Sequence, residues 1–341
     1  MLLSLGKIYY LYMKKVLYYL FICSSLFLLT NCGDSDNQKV KDNEDNQEQP
    51  KVSITEETVD INGVKHLIKK MGEGEPLLVL HGGPGLFHNY LVDHFKNLAK
   101  DYQIIFYDQR GCGQTDFPQD TSSINIETYV EDLEAIRVHL KLEKINLVGH
   151  SWGSLLALNY SKKYPNNINK LVLISPAPGN SDYFDQTFSN MQLKRTDEDT
   201  KELVQTMMSS EFEKREQNAF KKAILLGDKV NLVVQEDIEK LYAPMEFSET
   251  TANNLMLVNS LLERTYFNLN VVEGLEVINF PTLIVIGDLD NVPFASTQSI
   301  HENIKESKLE VIKKSCHYPF FEAPKEFNTI VRNFLNPEYE Q

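Results

Sequence analysis

Ile145-Asn146-Leu147-Val148-Gly149-His150-Ser151-Trp152-Gly153-Ser154, followed at once by Leu155-Leu156-Ala157-Leu158, decides how this chain is read. An apolar run with the character of a buried strand stops at a serine, and a helix-like run begins without a loop between them. Glycines stand two residues before and two residues after that serine. This is the Gly-x-Ser-x-Gly pattern of a sharp strand-to-helix turn that lifts a hydroxyl out of a sheet. Small flanking residues let the neighbouring backbones approach without a Cβ in the way. The pattern marks Ser151 as a candidate nucleophile for attack on a carbonyl carbon.

Outward from the serine, short apolar strands alternate with helical segments. Val59 to Ile68 carries two alternating runs around Asn62-Gly63, a strong hairpin signal. Leu77 to Leu80 reads as a short buried strand, and the glycine-rich His81 to Gly85 follows it. Tyr90 to Leu98 is helix-like, Tyr102 to Tyr107 a strand, and Glu127 to Leu140 a helix with Val130, Leu133, Ile136 and Leu140 on one face. After the elbow come a strand at Leu171 to Ile174 and, much later, one at Pro281 to Ile286. A helix at Gln298 to Ile304, a strand at Leu309 to Ile312 and a helix at Phe327 to Phe334 complete the pattern. Such alternation predicts an α/β fold with a mostly parallel sheet covered on both faces. Between Pro176 and about Gly274 the alternation disappears and the chain becomes polar and helix-prone. Ala223-Ile224-Leu225-Leu226 and Leu255 to Leu262 give it apolar faces to pack. A helical cap over about residues 177–268, inserted into a sheet domain of residues 52–341, accounts for it.

A serine hydroxyl needs a base, and that base needs an orienting acid. On a sheet of this kind the partners follow in the order Ser, Asp/Glu, His, each after a later strand. The strand Thr282-Leu283-Ile284-Val285-Ile286 runs into Gly287-Asp288-Leu289-Asp290, and the next strand runs into Ser315-Cys316-His317. Of the eight histidines, His317 alone follows the final strand. For the acid, Asp290 competes with Asp288; the residue deeper in the loop is better able to turn back towards the histidine. Oxyanion donors are the backbone N–H of Trp152 and one from the glycine-rich loop, for which Gly83 is favoured.

With these residues assembled, the chain resembles the prolyl aminopeptidase (proline iminopeptidase) family of α/β-hydrolases. The resemblance rests on His81-Gly82-Gly83-Pro84-Gly85, on Asp108-Gln109-Arg110-Gly111-Cys112-Gly113-Gln114-Thr115 and on Gly149-His150-Ser151-Trp152-Gly153. Gly287-x-x-Asp290 and His317 match the family's triad partners. It covers about residues 57–175 and 269–336. It implies the α/β-hydrolase fold, with Ser151 as nucleophile, His317 as base and Asp290 as acid. By the same analogy Asp108 and Arg110 support the glycine-rich loop. Family members hold the substrate's free α-ammonium with cap glutamates, one in a Glu-x-x-Tyr-Phe sequence, and Glu263-Arg264-Thr265-Tyr266-Phe267 fits that pattern. A solvated charge on a helix face is the alternative reading of Glu263. The family's tryptophan-flanked glutamate has no counterpart here, since Trp152 is the single tryptophan; Glu211 or Glu213 are the candidates to substitute.

The implied activity is release of N-terminal proline, or a similar small residue, from short peptides through an acyl-enzyme. The alternatives are a carboxylesterase or amidase that ignores the free amine, and a non-catalytic binding protein with a relic site. Haloalkane dehalogenase and epoxide hydrolase chemistry is disfavoured, because relatives performing it carry aspartate at the elbow. The reading calls for no cofactor and no metal, and no Cys/His group has zinc-ligand spacing. A formal charge of −14 over 341 residues argues against a nucleic-acid partner.

The N-terminus reads as a targeting segment. Lys14-Lys15 precede the apolar run Val16 to Thr30, a charged region and a hydrophobic region short for a membrane span. Leu29-Thr30-Asn31-Cys32 resembles a bacterial lipobox, which implies a signal peptide over 1–31 and lipidation of Cys32. An uncleaved membrane anchor is the alternative. Residues 33 to 51 lack an apolar cluster and read as an acidic, flexible tether. Either way the expected location is the bacterial cell envelope, on the periplasmic face or the cell surface. Of the four cysteines, Cys112 and Cys316 fall in the folded part, and the strand order keeps them apart.

Overall fold

In the computed structural model the described residues are 53–268 and 270–336, with the side chains of 263–268 outside the description. The signal, Cys32 and tether readings therefore lie outside the described residues.

Eight strands form one sheet: β1 (Ile54–Ile61), β2 (Val64–Met71), β3 (Glu75–Leu80), β4 (Tyr102–Tyr107), β5 (Ile145–His150), β6 (Ile168–Ile174), β7 (Thr282–Gly287) and β8 (Ser307–Ile312). Their spatial order is β1-β2-β4-β3-β5-β6-β7-β8. β1 and β2 pair antiparallel, as do β2 and β4, and every later pairing is parallel. Asn62 and Gly63 turn the β1–β2 hairpin with φ of 50° and 75°, the double positive φ that a two-residue turn of this twist requires.

Alternation along each strand sorts the core into two layers. Leu77, Val79, Val148, Val172 and Val285 point into one, Leu78, Leu80, Leu147, Leu171 and Ile284 into the other. Central β5 and β7 are buried at every position, whereas edge strands β1 and β8 alternate. This is why the central strands read as unbroken apolar runs and the edges do not.

The helices are α1 (Asn89–Phe95), α2 (Ile126–His139), α3 (Trp152–Lys163), α4 (Ser181–Lys194), α5 (Asp197–Met207), α6 (Ser210–Glu213), α7 (Gln217–Asp228), α8 (Ile238–Leu241), α9 (Glu249–Asn268), α10 (Phe294–Asn303), α11 (Pro319–Glu322) and α12 (Pro324–Leu335). α10 begins four residues ahead of the Gln298 start expected from periodicity, directly after Pro293. α4 to α9 all lie between β6 and β7. Three of them carry side-chain N-caps: Asn180, Thr196 and Ser209 accept backbone N–H bonds at the starts of α4, α5 and α6. A ladder of rings, Phe212 on Phe220 at 5.4 Å, Phe220 on Phe247 at 5.7 Å and Phe247 on Phe87 at 5.6 Å, fastens this helical cap to the segment after the glycine-rich loop. Among the described residues no helix is long and apolar enough to cross a membrane.

Candidate active site

Ser151 sits in the one-residue gap between β5 and α3 with φ 55° and ψ −118°, a conformation rarely tolerated outside glycine. Its surroundings enforce it. The Ser151 N–H donates to Ile174 O at 2.9 Å, Ser154 N–H donates to Ser151 O at 2.9 Å, and the Ser154 hydroxyl donates to Gly149 O at 2.6 Å. A Cβ on Gly149 would stand 2.4 Å from Gly153 O, and one on Gly153 would stand 2.4 Å from Leu80 O. Both glycines are therefore demanded by the approach of α3 to β5 and β3.

The other two sequence candidates arrive from neighbouring strands. β7 ends in Gly287, where a Cβ would lie 2.2 Å from two carbonyls of the next loop, so that loop packs directly on it. Asp288 caps that loop instead of entering the site: its Oδ1 accepts from Lys314 N–H at 2.7 Å. Asp290 turns back, and both of its oxygens lie 3.1 Å from His317 Nδ1. An ionised carboxylate only accepts, so Nδ1 carries the proton and Nε2 is the bare, basic nitrogen. Burial opposes the charged form of His317, but the Asp290 carboxylate outweighs it and raises the imidazole above its ordinary value. Burial likewise works against the Asp290 carboxylate. His317, together with Val292 N–H at 3.0 Å, overcomes it and holds the group below the usual carboxylate range.

Ser151 and His317 line one cavity of about 180 Å³, together with Gly82 and Gly83. The Gly82 N–H is committed to the Tyr90 hydroxyl at 2.7 Å, and Gly83, the donor expected from the sequence, lines the cavity beside it. Trp152, the other donor expected from the sequence, is locked through its indole: Nε1 donates to Gln109 Oε1 at 3.0 Å, and the Gln109 side-chain amide donates to His81 O at 2.9 Å. Gln109 thus ties the oxyanion loop to the elbow.

Of the two support roles expected from the sequence, that of Asp108 is met and that of Arg110 is not. Asp108 does not pair with Arg110. Its Oδ1 accepts from the backbone and the ring of His88, at 3.1 and 2.7 Å, and its Oδ2 accepts from Gln114 N–H at 3.0 Å. Burial pushes this carboxyl up, yet the histidine contact prevails and sets it at about 2. Asp108 so anchors the chain leaving the glycine-rich loop, as expected. Arg110 instead forms a bidentate pair with Asp132, at 2.7 and 2.8 Å, and donates to Asn62 O at 3.3 Å. It braces the β1–β2 hairpin rather than the loop, because α2 brings a buried carboxylate to it. Cys112 and Cys316 are both free and buried.

In the cap, the side chain of Glu263 lies outside the described residues. Glu211 and Glu213 point to solvent from α6 and do not line the cavity. The carboxylate that does is Asp228, the last residue of α7. Its Oδ2 accepts from the Tyr318 hydroxyl at 2.6 Å and the Tyr242 hydroxyl at 3.0 Å, and its Oδ1 accepts from Asn231 Nδ2 at 2.8 Å. Sequence reasoning passed over it. The available signal was a carboxylate at a helix C-terminus, where the dipole disfavours negative charge. Opposite it, Phe184, Thr187, Phe188 and Met191 of α4 present one helical stripe to the cavity.

Residues 75–324 match the family model described as the alpha/beta hydrolase fold. The proline iminopeptidase of Heyndrickxia coagulans is 30% identical over 289 residues, spanning 83% of this chain and 99% of that protein. The chain belongs to the proline iminopeptidase family of α/β hydrolases. Among solved structures, a proline iminopeptidase of Mycobacterium smegmatis superposes with a TM-score of 0.64 at 22% identity, covering 83% of this chain and 98% of that one. An esterase of Exiguobacterium antarcticum superposes with a TM-score of 0.60 at 23% identity, covering 82% and 99%. At such identities these two likenesses speak for the fold alone. In this family setting the chain is a hydrolase, and the cavity around Ser151 is its candidate active site.

Proposed function

We propose that this chain is a serine aminopeptidase that releases N-terminal proline, or a similar small residue, from short peptides. The observation that carries the reading is the Asp228 carboxylate, which lines the same cavity as Ser151 and His317. A peptide whose scissile carbonyl lies at Ser151 presents its free ammonium one residue away, and a carboxylate held by two tyrosine hydroxyls is an oriented partner for it.

In the reaction, His317 Nε2 takes the proton of the Ser151 hydroxyl as the oxygen attacks the carbonyl carbon. Asp290 stabilises the imidazolium that results. The N–H groups of Gly83 and Trp152 receive the developing oxyanion. His317 then returns the proton to the leaving amine as the C–N bond breaks, which leaves an acyl-enzyme. Water repeats the sequence and frees the amino acid. Glu263 is a second candidate for the ammonium.

A panel of aminoacyl arylamides and p-nitrophenyl esters tests the reading. Turnover of proline arylamide that is lost on N-acylation supports it. Blocked substrates cleaved as fast as free ones, or esters cleaved with no arylamide turnover, overturn it in favour of an esterase or amidase. Absence of fluorophosphonate labelling at Ser151 points to a non-catalytic binding protein.

The proposal extends to the N-terminus: residues 1–31 as signal peptide, Cys32 as the lipidated first residue, 32–51 as tether and 52–341 as the enzyme, held at the cell envelope. The supporting pattern is Leu29-Thr30-Asn31-Cys32 after an apolar run. Incorporation of an alkynyl fatty acid, absent in Cys32→Ala, is the expected result; equal labelling of both chains overturns it.

A further inference from the structure

The residue before the nucleophile has work of its own. His150 is 2% exposed and ends β5. Its ring is enclosed by Tyr318 at 5.2 Å, Phe320 at 5.1 Å and His317 at 5.1 Å. Both ring nitrogens are nonetheless satisfied. Nε2 lies 3.1 Å from the backbone oxygen of His317, and Nδ1 lies 2.7 Å from the Tyr90 hydroxyl. That hydroxyl is also the acceptor of the Gly82 N–H at 2.7 Å.

The protons in this chain have one consistent arrangement. A carbonyl oxygen only accepts, so His150 Nε2 carries the hydrogen and donates it to His317 O. Burial pushes the His150 imidazole down to about 3, so the ring is neutral and its Nδ1 is an acceptor. Tyr90 must then donate its hydroxyl proton to Nδ1, and its oxygen is left to accept from Gly82. Every donor has an acceptor and no group can reverse alone.

We infer that Gly82, Tyr90, His150 and the His317 backbone form a buried strut that fixes the oxyanion loop relative to the catalytic base, with Tyr90 and His150 as positioning residues. The inference rests on the proposed roles of Ser151, His317 and Gly83. The strut spans the three parts of the site that come from different stretches of chain: the loop after β3, the end of β5 and the loop after β8. Gly82 is in contact at its centre, since a Cβ there would lie 2.9 Å from the Tyr90 hydroxyl, 3.1 Å from His150 Nδ1 and 3.2 Å from Ser151 Cβ. Gly83, the neighbouring peptide, inherits whatever position Gly82 takes. Neither Tyr90 nor His150 exchanges protons with substrate in this scheme; each holds backbone in place.

Removing the hydroxyl alone tests this. Tyr90→Phe keeps the ring, empties Nδ1 of its partner and frees the Gly82 N–H. Misplacement of the oxyanion donors weakens transition-state binding and leaves ground-state binding alone. Per site titrated with a fluorophosphonate, kcat on proline arylamide is expected to fall about 10- to 100-fold with KM within about twofold. His150→Leu is expected to match it, and the double variant to be no worse than either single one, because both break one strut. His150→Gln, whose amide can donate to His317 O and accept from Tyr90, is expected to recover most of the loss. Equal kcat per titrated site in Tyr90→Phe, or effects that multiply in the double variant, overturn the strut. Wild-type chain that takes no fluorophosphonate at Ser151 instead removes the underlying reading of the site.

Discussion

The carboxyl edge of the sheet and helix α4 of the cap face the same cavity but are built to opposite standards. At the edge, Gly149, Gly153 and Gly287 leave no room for a single added carbon, and the His150 ring is packed against His317 and Phe320. In the cap, α4 contains no buried residue, and Leu193 is 84% exposed. Among the bonds that hold α4 near Asp290 and His317 are Lys194 Nζ to Leu289 O at 2.7 Å and Asn190 Nδ2 to Asn291 O at 2.9 Å. The contrast separates two tasks. Attack on a carbonyl needs atoms fixed within fractions of an ångström, which close packing supplies. Choice of substrate needs a surface whose side chains can change without disturbing the attack.

Variants at the carboxyl edge of the sheet are expected to affect all substrates alike, and variants in the cap to discriminate between them. Ser151→Ala is expected to remove at least about 10⁴-fold of kcat on arylamides and esters alike, read in single-turnover assays. Asp228→Asn is expected to lower kcat/KM for free-amine substrates about 30-fold or more, while N-acylated esters change less than about threefold. A uniform loss over both classes would make Asp228 a structural residue.

pH sharpens the same division. In the proposed mechanism His317 must be neutral to accept the serine proton, and its pKa is raised above the ordinary 6.5. Activity is therefore expected to be lost as pH falls through that raised value. The acid limb of kcat/KM should move to lower pH in Asp290→Asn, which removes the charge that raises it. An acid limb that stays put in that variant would assign it to another group. Smaller still, Met191→Ala on α4 is expected to change KM by about threefold to tenfold with kcat kept, as removal of an apolar contact in a binding wall does.

Much of the edge was legible because its causes are local. Asn62-Gly63, the two elbow glycines and the strand ends before Asp290 and His317 are each set by backbone sterics within a few residues. Loop depth favoured Asp290 over Asp288 from the sequence, but the contacts behind that preference come from the fold: the loop after β8 brings Lys314 to Asp288 and His317 to Asp290. Arg110 was misassigned for a similar reason: its partner Asp132 is 22 residues away and arrives by the packing of α2. Asp228 was missed because nothing near it in the chain is catalytic; Tyr242 and Tyr318, which hold it, come from other segments.

By itself, the sequence determined the alternating strand and helix order, the Ser151 elbow with its glycines, and the two partners in their order along the chain. Periodicity and local sterics suffice for these. Tertiary structure alone decided which carboxylates face the cavity, that Gln109 and the Tyr90–His150 pair tie the oxyanion loop to the elbow and the base, and where α4 stands over Ser151. Most of those contacts join residues tens of positions apart or more, such as Trp152 with Gln109 and His150 with Tyr90 and His317, and only the closing of the sheet and the folding of the cap across it bring them within bonding distance.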